Sequence, residues 1–173
     1  PRIQGADVCG EIVAVGTGIN PSRIGQRVIT DGWIRNPNEP FNKSKTGYFG
    51  SECDGGFADY AAIPSSNALS IESNLTDAEL ATFSCSYATA EGMLNRADVS
   101  EEDVVLIPGA SGGVGGALVQ LAKRRKAKVI ALASVEKHKD VIWLGADRVL
   151  PRSPERIKVI LKEEKITVVA DVV

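Results

Sequence analysis

Apolar positions in the first half of the chain gather in short β-prone runs separated by Gly, Asn and Pro. Residues 8–16 (VCGEIVAVG), 25–30 (GQRVIT) and 57–64 (FADYAAIP) read as strands. Residues 31–56 hold Pro37, Pro40, Asn36, Asn38, Asn42 and several glycines, and read as a long loop. The texture changes at Thr76-Asp77-Ala78-Glu79, a capping box that opens a helix. That helix is expected to reach residue 96 in two pieces, broken around Ser84–Ser86. From residue 104 strands and helices alternate. A continuous apolar strand (104–109) leads to a helix with Val114, Ala117, Leu118, Leu121 and Ala122 along one face. A strand at Lys128–Ser134, a helix at 135–144 and a short strand at Asp147–Pro151 follow. Ser153 then caps a helix with Pro154 at its first position and Ile157, Ile160 and Leu161 facing inward. Alternation of this kind predicts a parallel sheet with right-handed crossovers. The chain begins at Pro1 and stops in the strand-like run 166–173, so a longer protein is expected.

Composition narrows the class. The chain has 173 residues, 43% hydrophobic and 24% charged, enough apolar surface to offset chain entropy. Twenty basic residues against 22 acidic ones give a formal charge of −2, which offers neither nucleic acid nor an anionic membrane an electrostatic handle. No apolar run approaches the roughly 18 residues of a membrane span, and no signal peptide is expected. Cys9, Cys53 and Cys85 lie far apart without a CxxC pair, which fits a reducing, cytoplasmic setting. The single histidine, His138, leaves little for a histidine metal cage or a Ser-His-Asp triad, and reads as a solvated residue of the polar stretch 136–140. Lys123-Arg124-Arg125-Lys126 falls at a helix C-terminus, where cations complement the dipole. Trp33 and Trp143 stay open between packing and ligand contact.

Glycine is abundant, at 17 residues, and its placement carries the chemistry. Gly109-Ala110-Ser111-Gly112-Gly113-Val114-Gly115-Gly116 lies between an apolar strand and an amphipathic helix. Glycines there let the backbone approach a pyrophosphate, and the free N–H groups of the helix start favour negative charge. A second strand completes a βαβ unit of about 30 residues around the turn. The pattern is AxGxxG, because Ala110 takes the first glycine position. A P-loop is excluded, since no Gly-Lys-Ser/Thr follows. The turn is read as a dinucleotide site, with close strand–helix packing as the alternative. The second strand ends Ala131-Leu132-Ala133-Ser134 without the acid that usually bonds the ribose 2′-hydroxyl. Lys137 and Arg152 could meet a 2′-phosphate, so NADP(H) is expected over NAD(H), with Glu136 counting against it.

Several ordered motifs resemble the medium-chain dehydrogenase/reductase superfamily, in particular its quinone-oxidoreductase-like and zinc-type alcohol-dehydrogenase-like members. They are Gly5-Ala6-Asp7-Val8-Cys9-Gly10-Glu11-Ile12-Val13-Ala14-Val15-Gly16, Gly55-Gly56-Phe57-Ala58-Asp59-Tyr60, Cys85-Ser86-Tyr87-Ala88-Thr89-Ala90-Glu91, the glycine-rich turn and Leu144-Gly145-Ala146-Asp147. The resemblance implies an α/β chain: a GroES-like, β-rich part of a substrate domain over 1–80, then part of a Rossmann domain, a doubly wound parallel sheet, over 81–173. It implies an NADP(H)-dependent oxidoreductase that passes hydride to a quinone, enone or other carbonyl acceptor, in an intact protein that is a homodimer. Thr89 would lie beside the nicotinamide, and Ser111, Gly112, Gly113, Val114 and Gly115 around the pyrophosphate. Ser134, Lys137 and Arg152 would surround the 2′-phosphate. Tyr87 and Asp7 are the candidates for general acid, each with a structural alternative as buried aromatic or hydrogen-bond acceptor. The family's zinc enzymes carry Gly-His-Glu where this chain has Gly5-Ala6-Asp7, so one metal ligand is missing. Cys85 falls at another ligand position, and only Cys53 stands in the loop that holds a structural zinc in relatives. No zinc is therefore expected. A zinc alcohol dehydrogenase with an altered metal site, and a non-catalytic NADP(H)-binding redox sensor, are the alternatives.

Overall fold

A computed structural model describes residues 1–36, 38–39, 42 and 46–172. Pro37 and Pro40 of the expected loop, and the last residue of the run 166–173, lie outside the described residues. The chain forms two compact units, Pro1–Cys85 and the residues from Ser86 onward. Sequence reading had put the boundary at residue 80.

In the first unit the strands are β1 (Cys9–Glu11), β2 (Arg27–Thr30), β3 (Trp33–Ile34), β4 (Gly47–Tyr48) and β5 (Ala68–Ser70). Strands β1, β2 and β5 make an antiparallel sheet in that order, with Cys9 opposite Ile29 and Val28 opposite Ser70. The expected strand 8–16 is thus cut to three residues, because its pairing with 25–26 ends at Ile12. The expected strand 57–64 does not form. The N–H groups of Phe57 and of the two glycines before it are drawn to the chain start instead, Gly55 to Ile3 (2.9 Å), Gly56 to Gly5 (2.8 Å) and Phe57 to Gln4 (2.9 Å). A Cβ on Gly55 would lie 2.6 Å from Gly50 Cα, so only glycine permits this close crossing. The loop 31–56 holds the β3–β4 hairpin, on which Trp33 meets Tyr48 edge-on at 6.1 Å and Arg35 lies 5.4 Å above the Trp33 ring.

The half-buried Arg23 and the buried Asn67 replace an extensive ladder. The Arg23 guanidinium donates to the carbonyls of Ser65 (2.8 Å) and Ala68 (2.6 Å), and Asn67 donates to those of Asp31 (2.9 Å) and Trp33 (3.1 Å). Helix α1 (Asp77–Ala81) starts at the expected capping box, and Asp77 in its first turn pairs with Arg27 at 2.5 Å. A π-turn, Phe83–Tyr87, then breaks the helix where the sequence predicted a break. It resumes as α2 (Ala88–Arg96).

The second unit is a parallel sheet of β6 (Val104–Ile107), β7 (Lys128–Leu132), β8 (Arg148–Leu150) and β9 (Val168–Val169), in the order β8-β7-β6-β9. Alternate side chains of β6 and β7 feed two separate cores. Val105, Ile107, Val129 and Ala131 pack with α2, with α3 (Gly113–Arg124) and with α4 (His138–Trp143). Leu106, Ile130 and Leu132 pack with Ile157 and Ile160 of α5 (Pro154–Glu163). Helices on both faces explain why β6 and residues 129–132 of β7 are continuously apolar. Leu161 is a correction, because it is 55% exposed rather than inward. Lys126 sits at φ +64° just past α3, in a Schellman cap whose bonds run from Ala127 N to Ala122 O and from Lys126 N to Lys123 O. This lysine takes the left-handed place that glycine usually holds.

Asp147 ties the sheet to α3. Its carboxylate accepts from the buried Val129 N–H (2.7 Å) and from Lys123 Nζ (2.9 Å). Burial pushes its pKa up, but the Val129 N–H and Lys123 outweigh that and leave it lowered. Asp147→Ala should cost about 1–3 kcal/mol at neutral pH by orphaning that N–H. A depressed pKa stabilises above the unfolded value of 3.8 and loses the contribution as pH falls. The stability gap between the parent and D147A should therefore narrow below about pH 4. Thermal unfolding across pH checks this; a gap that widens in acid would contradict it.

Candidate functional site

Three loops meet at the carboxyl edge of the parallel sheet, the turn after β6, the residues after β7 and those after β8. This edge is where open α/β sheets bind ligands. Backbone bonds hold the loops in step, from Ala110 N to Leu132 O (3.2 Å) and from Ala133 N to Leu150 O (3.1 Å). The structure thus brings together Ser111–Gly115, Ser134, Lys137 and Arg152 on one edge. All of these except Val114 and Gly115 are exposed.

The glycine turn suits an anion. Gly112 is the N-cap of α3, offers no side-chain bond to the first-turn N–H groups, and no acidic residue lies in that turn. The positive end of a 12-residue helix is therefore left open to a ligand. A Cβ on Gly112 would meet only Gly109 O, at 3.4 Å, so the space over the turn is free. Gly115 is the opposite case. A Cβ there would collide with Gly109 O and lie 2.8 Å from Ala110 Cα. Both demands named in the sequence are therefore present, ligand approach at Gly112 and packing at Gly115. A nicotinamide dinucleotide pyrophosphate fits such a cradle.

Ser86 is a residue that sequence reading missed. A Cβ on Gly113 would come within 2.7 Å of its Oγ, so the π-turn closes directly on the start of α3. Thr89 lies one helical turn beyond Ser86 and is exposed. Tyr87 is half-buried, and its hydroxyl accepts from Gln120 Nε2 at 2.8 Å, which fixes its ring against α3. The serines flanking Cys85 were the available signal for Ser86, but a helix break gave no means of placing it.

At the tip of β7, Ser134 caps a short turn, Val135–Lys137. The Glu136 carboxylate accepts from its own N–H and from the Ser134 hydroxyl, which hold it below the usual carboxylate range. Lys137 Nζ lies 3.2 Å from Asp140 Oδ2. His138 is not a freely solvated residue. It is half-buried, with Nε2 3.3 Å from Ala133 O. Trp143 is 85% exposed, so it is not a packing residue among the described residues. The basic run at the end of α3 is engaged structurally, Lys123 with Asp147, Arg125 with Glu91 at 2.7 Å and Lys126 with Glu101 at 3.6 Å.

The first unit carries a separate polar corner. Asp7 accepts from the Cys85 N–H at 2.9 Å, so its carboxylate does serve as a backbone acceptor. Tyr48, which sequence reading left inside the loop, bonds the Cys85 side chain. Burial, that bond and the nearby Asp7 and Asp31 charges push its phenol up to about 12. At neutral pH this hydroxyl is protonated and can donate. Among the described residues, no three His, Cys, Asp or Glu side chains gather as a metal-binding group. No helix of the described residues is long and apolar enough to cross a membrane.

Comparison with known proteins gives the same outline. Residues 1–73 match the family described as alcohol dehydrogenase GroES-like domain. A structure from Sinorhizobium meliloti 1021, designated an alcohol dehydrogenase, is 43% identical with a TM-score of 0.88, covering 100% of this chain and 49% of that one. An alcohol dehydrogenase (rspB) from E. coli CFT073, complexed with cofactor NADH, is 27% identical with a TM-score of 0.89, covering 99% of this chain and 54% of its own. Acryloyl-coenzyme A reductase of Metallosphaera sedula is 32% identical over 181 residues, covering 100% of this chain and 54% of its own length. The chain spans about half the length of these relatives.

Proposed function

The chain belongs to the medium-chain dehydrogenase/reductase superfamily, and we propose that its second unit holds NADP(H) for hydride transfer to an enone, quinone or other carbonyl acceptor. The observation that carries this reading is the uncapped start of α3, with open space over Gly112 and no acid in its first turn. Ser111, Gly112, Gly113, Val114 and Gly115 would hold the pyrophosphate, Thr89 the nicotinamide end, and Ser134, Lys137 and Arg152 the 2′-phosphate. The cofactor supplies the hydride, and the protein supplies binding, orientation and exclusion of water. An acryloyl thioester is an α,β-unsaturated carbonyl compound, so the M. sedula relative favours that acceptor class. For cofactor choice, Lys137 after β7 and Arg152 after β8 support the phosphorylated form, while the E. coli relative holds NADH. Zinc-free chemistry is supported by Ala6, which has no ligand atom where zinc relatives have histidine. A small-molecule substrate, a homodimer and a cytoplasmic setting complete the reading.

The test is oxidation of NADPH by simple enones and quinones, followed at the nicotinamide absorbance, using the enzyme treated with chelator. Turnover that survives metal removal is expected. Turnover that vanishes with chelator and returns with zinc would overturn the zinc-free part. Cofactor binding without turnover on any acceptor would support the redox-sensor alternative.

A further inference from the structure

Gly113 is the first residue of α3, and its one close neighbour comes from another element. An ideal Cβ on Gly113 would stand 2.7 Å from Ser86 Oγ but 3.7 Å from Ser86 Cβ. The space beside the helix start is therefore taken by a hydroxyl, delivered by the π-turn Phe83–Tyr87. Turns of this kind recur at functional sites. Ser86 is half-buried, and among the described residues its hydroxyl has no hydrogen-bond partner in the protein. Ser84, in the same turn, also lacks a partner, but its oxygen is sealed from solvent, whereas Ser86 Oγ is not closed off in that way. Gly112 supplies no side-chain oxygen to α3. An accessible, unengaged hydroxyl thus lies against a helix start that has no cap of its own. Such a hydroxyl can donate to a phosphate oxygen while the N–H groups of α3 do the same, and donation to an ionised acceptor is the stronger kind of hydrogen bond.

Resting on the reading that the start of α3 holds a dinucleotide pyrophosphate, we propose that Ser86 is a further cofactor-binding residue, whose hydroxyl donates to the phosphate on the nicotinamide side. That side follows from chain direction, because Thr89, the residue assigned to the nicotinamide end, lies one helical turn beyond Ser86. Gly113 then has a reason of its own to be glycine. A side chain there would push the hydroxyl out of the place from which it meets the ligand.

The experiment is calorimetric titration of the parent, Ser86→Ala, Gly113→Ala, the double variant and the control Ser84→Ala with NADPH, NADH, ADP-ribose and AMP. AMP has the adenosine-side phosphate alone, so it reports the rest of the site. S86A should weaken NADPH, NADH and ADP-ribose fivefold or more and leave AMP unchanged, with thermal unfolding showing a folded chain. G113A should give the same pattern by displacing the hydroxyl. The double variant should be no weaker than S86A, since the clash is gone once the oxygen is removed. S84A should change no affinity. Parent-like affinity for the dinucleotides in S86A, or an equal loss for AMP, would make Ser86 a packing residue and overturn the proposal while leaving the dinucleotide site intact. Absence of dinucleotide binding by the parent would instead remove the site itself, and this inference with it.

Discussion

Gly115→Ala should be the most damaging single-methyl change in the second unit. The added carbon has nowhere to go, since its nearest neighbours are the Gly109 carbonyl and the Ala110 Cα. Both are backbone atoms of the turn joining β6 to α3, and no rotamer change can relieve them. Ala110 is completely buried, and its N–H is bound to Leu132 O. The turn cannot shift without pulling β7 along. Overpacking of a well-packed site costs about 1–3 kcal/mol, and G115A should fall at or above the top of that range. Thermal or urea unfolding would show it as a large loss of stability, and dinucleotide binding would fall with it. Unchanged stability in G115A would mean that α3 is seated differently from the arrangement described above.

Gly112→Ala should behave in the opposite way, by losing binding without losing the fold. Gly112 has φ −83° and ψ 172°, which alanine adopts freely. Its new methyl would touch only Gly109 O at an ordinary 3.4 Å, and would otherwise stand in the open space over the helix start. Unfolding should move by less than about 0.5 kcal/mol. Affinity for NADPH and NADH should fall tenfold or more, because the methyl holds the pyrophosphate away from the N–H groups of α3. Undiminished binding would place the ligand elsewhere, and the turn would then be a packing device only.

The two units were unequally legible in the sequence, for a physical reason. From residue 104 onward each element carries its own signal within a few residues. Ser153-Pro154 caps α5, and Ser153 Oγ accepts from Arg156 N–H as that pattern requires. Residues 104–107 and 129–132 are continuously apolar because both faces of the sheet are covered. The first unit depends on distant partners. Arg23 reaches Ser65 and Ala68, Asn67 reaches Asp31 and Trp33, and Gly55 crosses the segment at Gly5 and Gly50. No local window contains such information, so two- and three-residue strands were missed and the run 57–64 was overread.

The site divides along the same line. The glycine turn was legible because strand, turn and helix are contiguous. What the side chains at the tip of β7 do to one another was not. Lys137 could be named as a cation, but its pairing with Asp140 appears only when the loop is folded. Tyr48 was hidden for a further reason, since its partner Cys85 lies at the far end of the first unit's sequence.

The central claim is that the start of α3 holds a nicotinamide dinucleotide. Its most direct measurement is calorimetric titration of the chain with NADPH and with NADH, run in parallel on Gly112→Ala. Saturable binding to the parent at one site, weakened tenfold or more (about 1.4 kcal/mol) in a fully folded G112A, is the predicted result. Equal affinity in parent and G112A, or no binding of either dinucleotide to the parent, would contradict it.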